Sequence, residues 1–90
     1  MTSHVTREFR KSFADLPTQV QRQARKNYKL WRQNPHHESL QSKRVSQRQS
    51  IYSVRVSEKY RALGLVERDA IYWFWIGKHD EYDKLLKRLN

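Results

Sequence analysis

The sequence predicts an α+β fold in which an N-terminal helical hairpin packs on an antiparallel sheet of three to four strands, with a short C-terminal helix. Three observations predict it: helical spacing of apolar residues up to residue 35, a two-residue alternation from Ile51, and a continuous apolar run over residues 70–76. Helices and strands that are segregated along the chain are typical of this class. Ninety residues can build one core, so residues 1–90 are predicted to form a single domain.

Two helices are predicted before residue 36. The first carries Phe9, Phe13 and Leu16 on one face and ends at the step to Pro17. The second opens at Pro17, where the missing N–H does no harm, and ends at Asn34 because the residue before a proline avoids the helical region. The apolar face of the second helix and its basic flank are Val20, Ala24, Tyr28 and Trp31, and Arg22, Arg25, Lys26, Lys29 and Arg32.

The second half of the chain predicts a meander. Residues 36–50 are polar and read as a loop, with a short strand around residues 40–45 as the alternative. Three strands are predicted at residues 51–57, 60–66 and 70–76, and Gly77 is expected to end the last of them. Apolar residues at Tyr82, Leu85, Leu86 and Leu89 predict the terminal helix.

The charge balance points to a polyanionic partner. Nineteen Lys and Arg against nine Asp and Glu give a net charge of +10. Such a surplus destabilises a small compact domain by self-repulsion, and attraction to nucleic acid is its usual use. An anionic membrane surface and an acidic protein are the alternative partners.

Several classes are excluded by what the sequence lacks. There is no cysteine, which excludes disulfides and thiolate metal sites, and the adjacent His36–His37 pair has no third ligand nearby. No metal or other cofactor is therefore predicted. No apolar run approaches the ~20 residues of a membrane span, and residues 1–13 do not resemble a signal peptide. We expect a cytoplasmic protein that does not enter a membrane.

The order of elements, with its motifs, resembles the RelE/ParE toxin superfamily. The motifs are Tyr52-Ser-Val-Arg55-Val, then Tyr60-Arg61, then an apolar strand that ends in Ile76-Gly77-Lys78-His79. RelE-, YoeB- and YafQ-like members are the most similar. Such toxins usually open with a strand beside the meander, whereas residues 1–10 here carry little strand signal. Either residues 4–6 form a vestigial edge strand or the sheet has lost one.

The resemblance implies a toxin of a type II toxin–antitoxin system and a set of catalytic residues. RelE-like toxins cleave mRNA on the ribosome, ParE-like toxins inhibit DNA gyrase without chemistry of their own, and some relatives are inert. Arg55 stands where RelE-like toxins have a catalytic lysine, Arg61 matches an arginine of the next strand, and His79 matches a histidine near the C-terminus of YoeB- and YafQ-like toxins. Ser53 replaces another lysine, which departs from the RelE-like pattern.

The residue types suit metal-independent RNA cleavage, which needs a proton acceptor for the 2′-hydroxyl and positive charge near the phosphate. Strand alternation places Arg55 on the open face of the sheet, opposite the apolar residues that face the helices. His79 has a side chain whose ordinary pKa is near working pH, so it is the candidate acid or base. Tyr82 could orient or stack a base, or it could pin the last helix to the sheet. Glu58 is a second candidate base, or a turn residue paired with a neighbouring cation.

Further residues are expected to contact nucleic acid without reading its sequence. These are the basic residues Lys43, Arg44, Arg48, Lys59 and Lys78. By alternation Trp73 and Trp75 share one face, where they either pack in the core or stack bases.

Three functions remain open from the sequence. The first is a ribosome-dependent mRNA endonuclease whose partners are ribosome and mRNA. The second is a gyrase inhibitor, which needs no histidine, and the third is a non-toxic basic RNA-binding module. In the first two, a cognate antitoxin with an acidic segment is the expected partner, because it would offset the charge of +10.

Overall fold

One five-stranded sheet carries two helices on one face and a third helix on the other. The computed structural model describes residues 1–89. Its elements in chain order are β1 (Thr2–Val5), α1 (Arg7–Ala14), α2 (Thr18–Gln33), a 3-10 turn (Glu38–Leu40), β2 (Lys43–Arg44), β3 (Ile51–Ser57), β4 (Tyr60–Glu67), β5 (Ala70–Lys78) and α3 (His79–Leu89). The spatial order of the strands is β1-β5-β4-β3-β2.

The sheet is mixed and has five strands, so the prediction of three to four antiparallel strands was wrong in detail. β1 pairs with β5 in parallel, with Thr2 opposite Ala70 and Val5 opposite Trp73. The other three pairings are antiparallel, as predicted. The indole Nε1 of Trp73 donates to Ser3 Oγ at 3.1 Å, which ties the edge strand to the core. The strand therefore lies at Thr2–Val5 rather than at residues 4–6.

The two N-terminal helices were predicted closely, but they do not form a hairpin that packs chiefly on itself. α1 lies against β5, whereas α2 lies against β3. The link between them is Gln21, whose amide donates to the carbonyls of Phe13, Ala14 and Leu16 at 3.0–3.2 Å at the end of α1. These side-chain bonds satisfy carbonyls that a helix end leaves unpaired.

A β-bulge separates the two tryptophans of β5. Gly64 on β4 lies opposite Trp73 and the preceding Leu63 lies opposite Trp75, so Phe74 has no partner of its own. Trp73 consequently packs on the α1/α2 face, where it meets Trp31 edge to face at 5.3 Å. Trp75 packs on the α3 face. The expectation that the two tryptophans share a face was wrong, because strict alternation cannot foresee an inserted residue.

The face opposite α1 and α2 was expected to be open at Arg55, with closure of the face by the terminal helix as the alternative, and α3 covers much of it. Tyr82 and three leucines of α3 pack over Ile51 and Leu63. β5 runs through Gly77 to Lys78 instead of ending at Gly77, so α3 starts directly at the strand end. Arg55 and Arg61 lie at one end of this face, and both residues remain partly exposed.

The polar segment before β3 contains little regular structure. The alternative strand at residues 40–45 is reduced to the two residues of β2, preceded by the 3-10 turn. Leu40 is fully buried and anchors this segment to the α1/α2 core. The Oγ of buried Ser46 accepts from the backbone N–H groups of Arg48 and Gln49, both at 3.3 Å, which holds the loop into β3.

Candidate nucleic-acid and catalytic site

Arg55 and Arg61 lie directly opposite each other on β3 and β4. Like charges in this position repel, so the pair is unfavourable for folding unless an anion binds there. Burial, followed by the charge of Arg55, lowers the pKa of Arg61 from its ordinary value. Within residues 1–89, neither guanidinium has a carboxylate oxygen within ion-pairing distance. The pair is thus a concentration of positive charge that forms no ion pair within residues 1–89.

Arg61 is held in place by the turn between β3 and β4. Its Nη1 donates to the carbonyl oxygens of Ser57 at 2.7 Å and Tyr60 at 2.9 Å, with a longer contact to Glu58 at 3.4 Å. Glu58 therefore contributes its backbone carbonyl rather than a carboxylate pair with Arg61. One side of the guanidinium is fixed by these bonds, which orients it before any ligand binds.

The main chain of β3 is held by a second helix-to-sheet contact. Asn27 on α2 donates its amide to the carbonyls of Arg55 at 3.1 Å and Val56 at 2.8 Å. The pairing of β3 with β4 is irregular at this point, and the bulge leaves carbonyls that the ladder does not use. Asn27 was not singled out from the sequence, since a polar residue on a basic helix flank gives no signal of such a contact.

His79 begins α3 at the same end of the sheet. Its backbone N–H donates to the carbonyl of Lys59 at 2.8 Å, which joins the start of the helix to the β3–β4 turn. Gly77 lies opposite Arg61, and Lys78 lies opposite Tyr60. His79, Arg61, Lys59 and Lys78 are thereby brought to one end of the sheet. The imidazole remains accessible, with 43% of the side chain exposed.

Tyr82 is a packing residue by its position. It is 4% exposed, and its ring lies between those of His79 at 5.3 Å and Trp75 at 6.4 Å. No surface is left on which a base could stack, so that role does not fit the structure. Its hydroxyl oxygen is buried with no hydrogen-bond partner among residues 1–89.

The remaining predicted contact residues form a second group away from His79. Lys43 and Arg44 occupy the edge strand β2, opposite Ser53 and Tyr52. The Nε of Arg44 donates to Ser46 O at 2.9 Å, which directs this side chain along the loop that contains Arg48. All three of these basic residues are exposed.

Besides Asn27, sequence reasoning missed two features. Asp83 lies one helical turn after His79, and its Oδ2 is 3.2 Å from His79 Nδ1. The spacing of four residues in a predicted helix was the signal that could have found it. The second feature is an apolar cleft of about 560 Å³ between α1, α2 and the sheet, which has the basic residues Arg10, Arg25, Lys29 and Arg55 in its lining.

Two further classes of site are not supported by residues 1–89. No three His, Asp or Glu side chains converge on a point at which they could hold a metal ion. In the same part of the chain, none of the helices is both long enough and apolar enough to cross a membrane.

Comparison with known proteins places this arrangement in a family. A family model of the ParE-like toxin domain matches residues 18–84, which is most of the chain. The chain belongs to the ParE-like toxin family. The matched range of this toxin contains the basic flank of α2, Arg55, Arg61 and His79. No curated protein sequence matches the chain.

Solved structures share the fold of this ParE-like toxin at low sequence identity. The YoeB/ParE toxin from Agrobacterium tumefaciens superposes with a TM-score of 0.70 at 9% identity, covering 88% of this chain and 99% of that one. The archaeal RelE–RelB complex from Pyrococcus horikoshii gives 0.67 at 15% identity, with coverages of 86% and 92%. The isolated Escherichia coli RelE toxin gives 0.66 at 19% identity, with coverages of 99% and 98%. The predicted α+β class and the RelE/ParE-like fold are thus confirmed, whereas the predicted number and direction of the strands were not.

Proposed function

We propose that this ParE-like toxin is the toxin of a type II toxin–antitoxin pair and that it cleaves mRNA on the ribosome, in the cytoplasm, without a metal ion. The observation that carries the proposal is the opposed pair Arg55 and Arg61, which forms no ion pair within residues 1–89 and lies at the same end of the sheet as an accessible histidine. A gyrase inhibitor would not require a histidine at this position.

The chemistry assigns one task to each group. The 2′-oxygen of a ribose attacks the adjacent phosphorus, and the bond from phosphorus to the 5′-oxygen breaks, giving a 2′,3′-cyclic phosphate and a 5′-hydroxyl. His79 Nε2 accepts the proton of the 2′-hydroxyl, and the departing 5′-oxygen takes a proton from solvent. Arg55 and Arg61 stabilise the charge that accumulates on the phosphoryl oxygens. Lys59 and Lys78 add contacts to neighbouring phosphates.

The decisive experiment compares His79→Ala with His36→Ala in a reconstituted translation system. His36 is an exposed loop histidine outside this site, so it is the matched control. Loss of new mRNA ends in His79→Ala, with ends retained in the control, is expected. Cleavage that survives in His79→Ala contradicts the role of His79. Expression that blocks DNA supercoiling while translation continues supports gyrase inhibition instead, and expression without growth arrest favours a non-toxic module.

An acidic antitoxin segment is the proposed partner of this toxin. The apolar cleft is lined by Phe9, Phe13 and Trp31, and the guanidinium of Arg25 lies 5.0 Å from the Phe13 ring. No acidic residue lines the cleft. A partner helix or strand with apolar side chains flanked by carboxylates would complement it.

The cleft proposal is tested by co-expressing the toxin with any short acidic reading frame that is found next to its gene. Arg25→Glu is expected to weaken the complex, whereas Arg22→Glu on the exposed side of α2 is the control of equal charge change. Equal binding by the two variants would exclude the cleft as the antitoxin site.

A further inference from the structure

Asp83 contacts His79 on the side of the ring that faces along α3. His79 Nδ1 and Asp83 Oδ2 are 3.2 Å apart, and the two residues are one helical turn apart. Two other carboxylates, Asp80 and Glu81, lie in the first turn of the same helix, but neither forms an ion pair with the ring. The contact is therefore specific to one of three nearby acidic side chains.

The contact determines which ring nitrogen is available. A carboxylate accepts hydrogen bonds and cannot donate them, so Nδ1 must carry the proton it donates to Asp83. In the neutral imidazole the lone pair is then on Nε2. The orientation of the ring is further limited by Tyr82, whose ring centroid lies 5.3 Å away. The backbone bond from His79 to Lys59 fixes the helix start against the β3–β4 turn.

We propose that Asp83 is the positioning residue of His79: it holds the tautomer and ring orientation in which Nε2 accepts the substrate proton. The inference rests on the proposed nuclease function. Asp83 does not touch RNA in this scheme and acts only through the histidine. The dyad is partly exposed, with 57% of the Asp83 side chain accessible, so solvent weakens the interaction relative to a buried pair.

Two readouts test the role of Asp83. The first is the tautomer of His79, measured from long-range ¹H–¹⁵N correlations of labelled protein at about pH 8, where an ordinary histidine is neutral. The Nδ1–H form is expected to predominate in the native protein, and this preference is expected to be lost in Asp83→Ala. The second is the single-turnover rate of mRNA cleavage on ribosomes, expected to fall about tenfold in Asp83→Ala, a smaller loss than for a buried triad aspartate.

Conservative variants separate positioning from a general effect of charge. Asp83 also acts electrostatically on Arg61, where its negative charge opposes the lowering of the pKa of that arginine. Asp83→Asn removes the charge but keeps an oxygen acceptor, so positioning predicts a tautomer closer to native than in Asp83→Ala. Asp83→Glu is expected to restore both readouts. Asp80→Asn, which changes a carboxylate that makes no contact with the ring, is expected to leave both unchanged.

The outcomes divide cleanly. An unchanged tautomer in Asp83→Ala overturns the positioning role, whatever the protein does to mRNA. A changed tautomer with an unchanged cleavage rate overturns it as well, because the histidine would then work in either form. Failure of the native protein to cleave mRNA overturns the proposed function instead, and in that case only the spectroscopic readout decides whether Asp83 positions the ring.

Discussion

The two faces of the sheet differ in how completely they are covered, although they are built from the same strands. On the α1/α2 face, Trp73, Ile71 and Ile76 are all nearly inaccessible and pack against the aromatic residues of the helices. On the α3 face, apolar packing ends before Arg55 and Arg61, which remain partly exposed. Alternate residues of one strand thus serve stability and chemistry separately, so substitutions on the two faces are expected to affect different measurements.

The largest effect is expected from Trp73→Ala. Trp73 is 4% exposed, contacts Trp31 edge to face, and donates to Ser3. Truncating a buried tryptophan lowers the free energy of unfolding by about 3–5 kcal/mol, which is a large part of the stability of a small domain. Urea denaturation followed by circular dichroism measures it. The neighbouring Tyr72→Ala is the control, since Tyr72 is 38% exposed and its loss should change stability far less.

Substitutions at Gly64 and Gly77 compare how tightly the two faces of the sheet are packed. A Cβ on Gly64 would lie 2.7 Å from Ile71 Cδ1 and 2.9 Å from Trp73 Cε3, and both neighbours are buried. Gly64→Ala is expected to reduce the free energy of unfolding by about 1–3 kcal/mol because the core cannot move aside. A Cβ on Gly77 would lie 2.7 Å from Trp75 Cζ2, on the less covered face.

Gly77→Ala should therefore be the milder change, since the half-buried Trp75 has room to tilt. Chemical denaturation of the two variants side by side measures the difference. Equal losses would show that the α3 face is packed as rigidly as the other.

Tyr82→Phe tests a residue of α3 that packs over the sheet and also contacts the proposed catalytic residue His79. Removing a buried hydroxyl that has no partner is expected to leave stability unchanged or raise it by about 1 kcal/mol. Cleavage should persist, because the ring keeps its contacts with His79 and Trp75. A variant that unfolds normally but no longer cleaves would instead give the hydroxyl a catalytic role, so thermal melting and the cleavage assay are needed together.

A small gain in stability is expected from Arg55→Gln. Relieving like-charge repulsion across β3 and β4 should raise the free energy of unfolding by about 0.5 kcal/mol. The same variant should bind RNA more weakly, with the slope of log K against log salt reduced by about one, as for a lost phosphate contact. Arg22→Gln, on the exposed side of α2, is the control because it removes the same single positive charge. Lower stability in Arg55→Gln would show that the pair is structural.

Local patterns predicted most of the fold. The spacing of Phe9, Phe13 and Leu16 indicates α1, proline bounds α2, and the alternation from Ile51 indicates β3. β1 was missed because four residues at a sheet edge bury too little for an apolar pattern, and their pairing with β5 is a contact distant in sequence. The bulge at Phe74 depends on how β4 aligns with β5, and this alignment cannot be predicted from the sequence of either strand alone.

The candidate site was predictable as a set of residue types but not as a geometry. Arg55, Arg61 and His79 were named from strand pattern and resemblance, and the register brings the two arginines opposite each other. Tyr82 is buried because α3 folds back over Leu63. The apolar residues of α3 are compatible with this packing, but they do not predict it. The role of Asn27 appears only once helix and sheet are placed together, whereas the four-residue spacing of Asp83 from His79 was present in the sequence.

The parallel pairing of β1 with β5 sets the order in which the chain can fold during synthesis. Residues 2–5 are synthesised before their partners, residues 70–73, so the edge strand cannot pair until the segment between them has been made. Non-local pairings of this kind form late and slowly. Until then the backbone groups of β1 that bond to β5 are unpaired, so the growing chain carries a strand segment without its partner. The sheet is thus completed only when β1 pairs with β5, across more than sixty residues of chain.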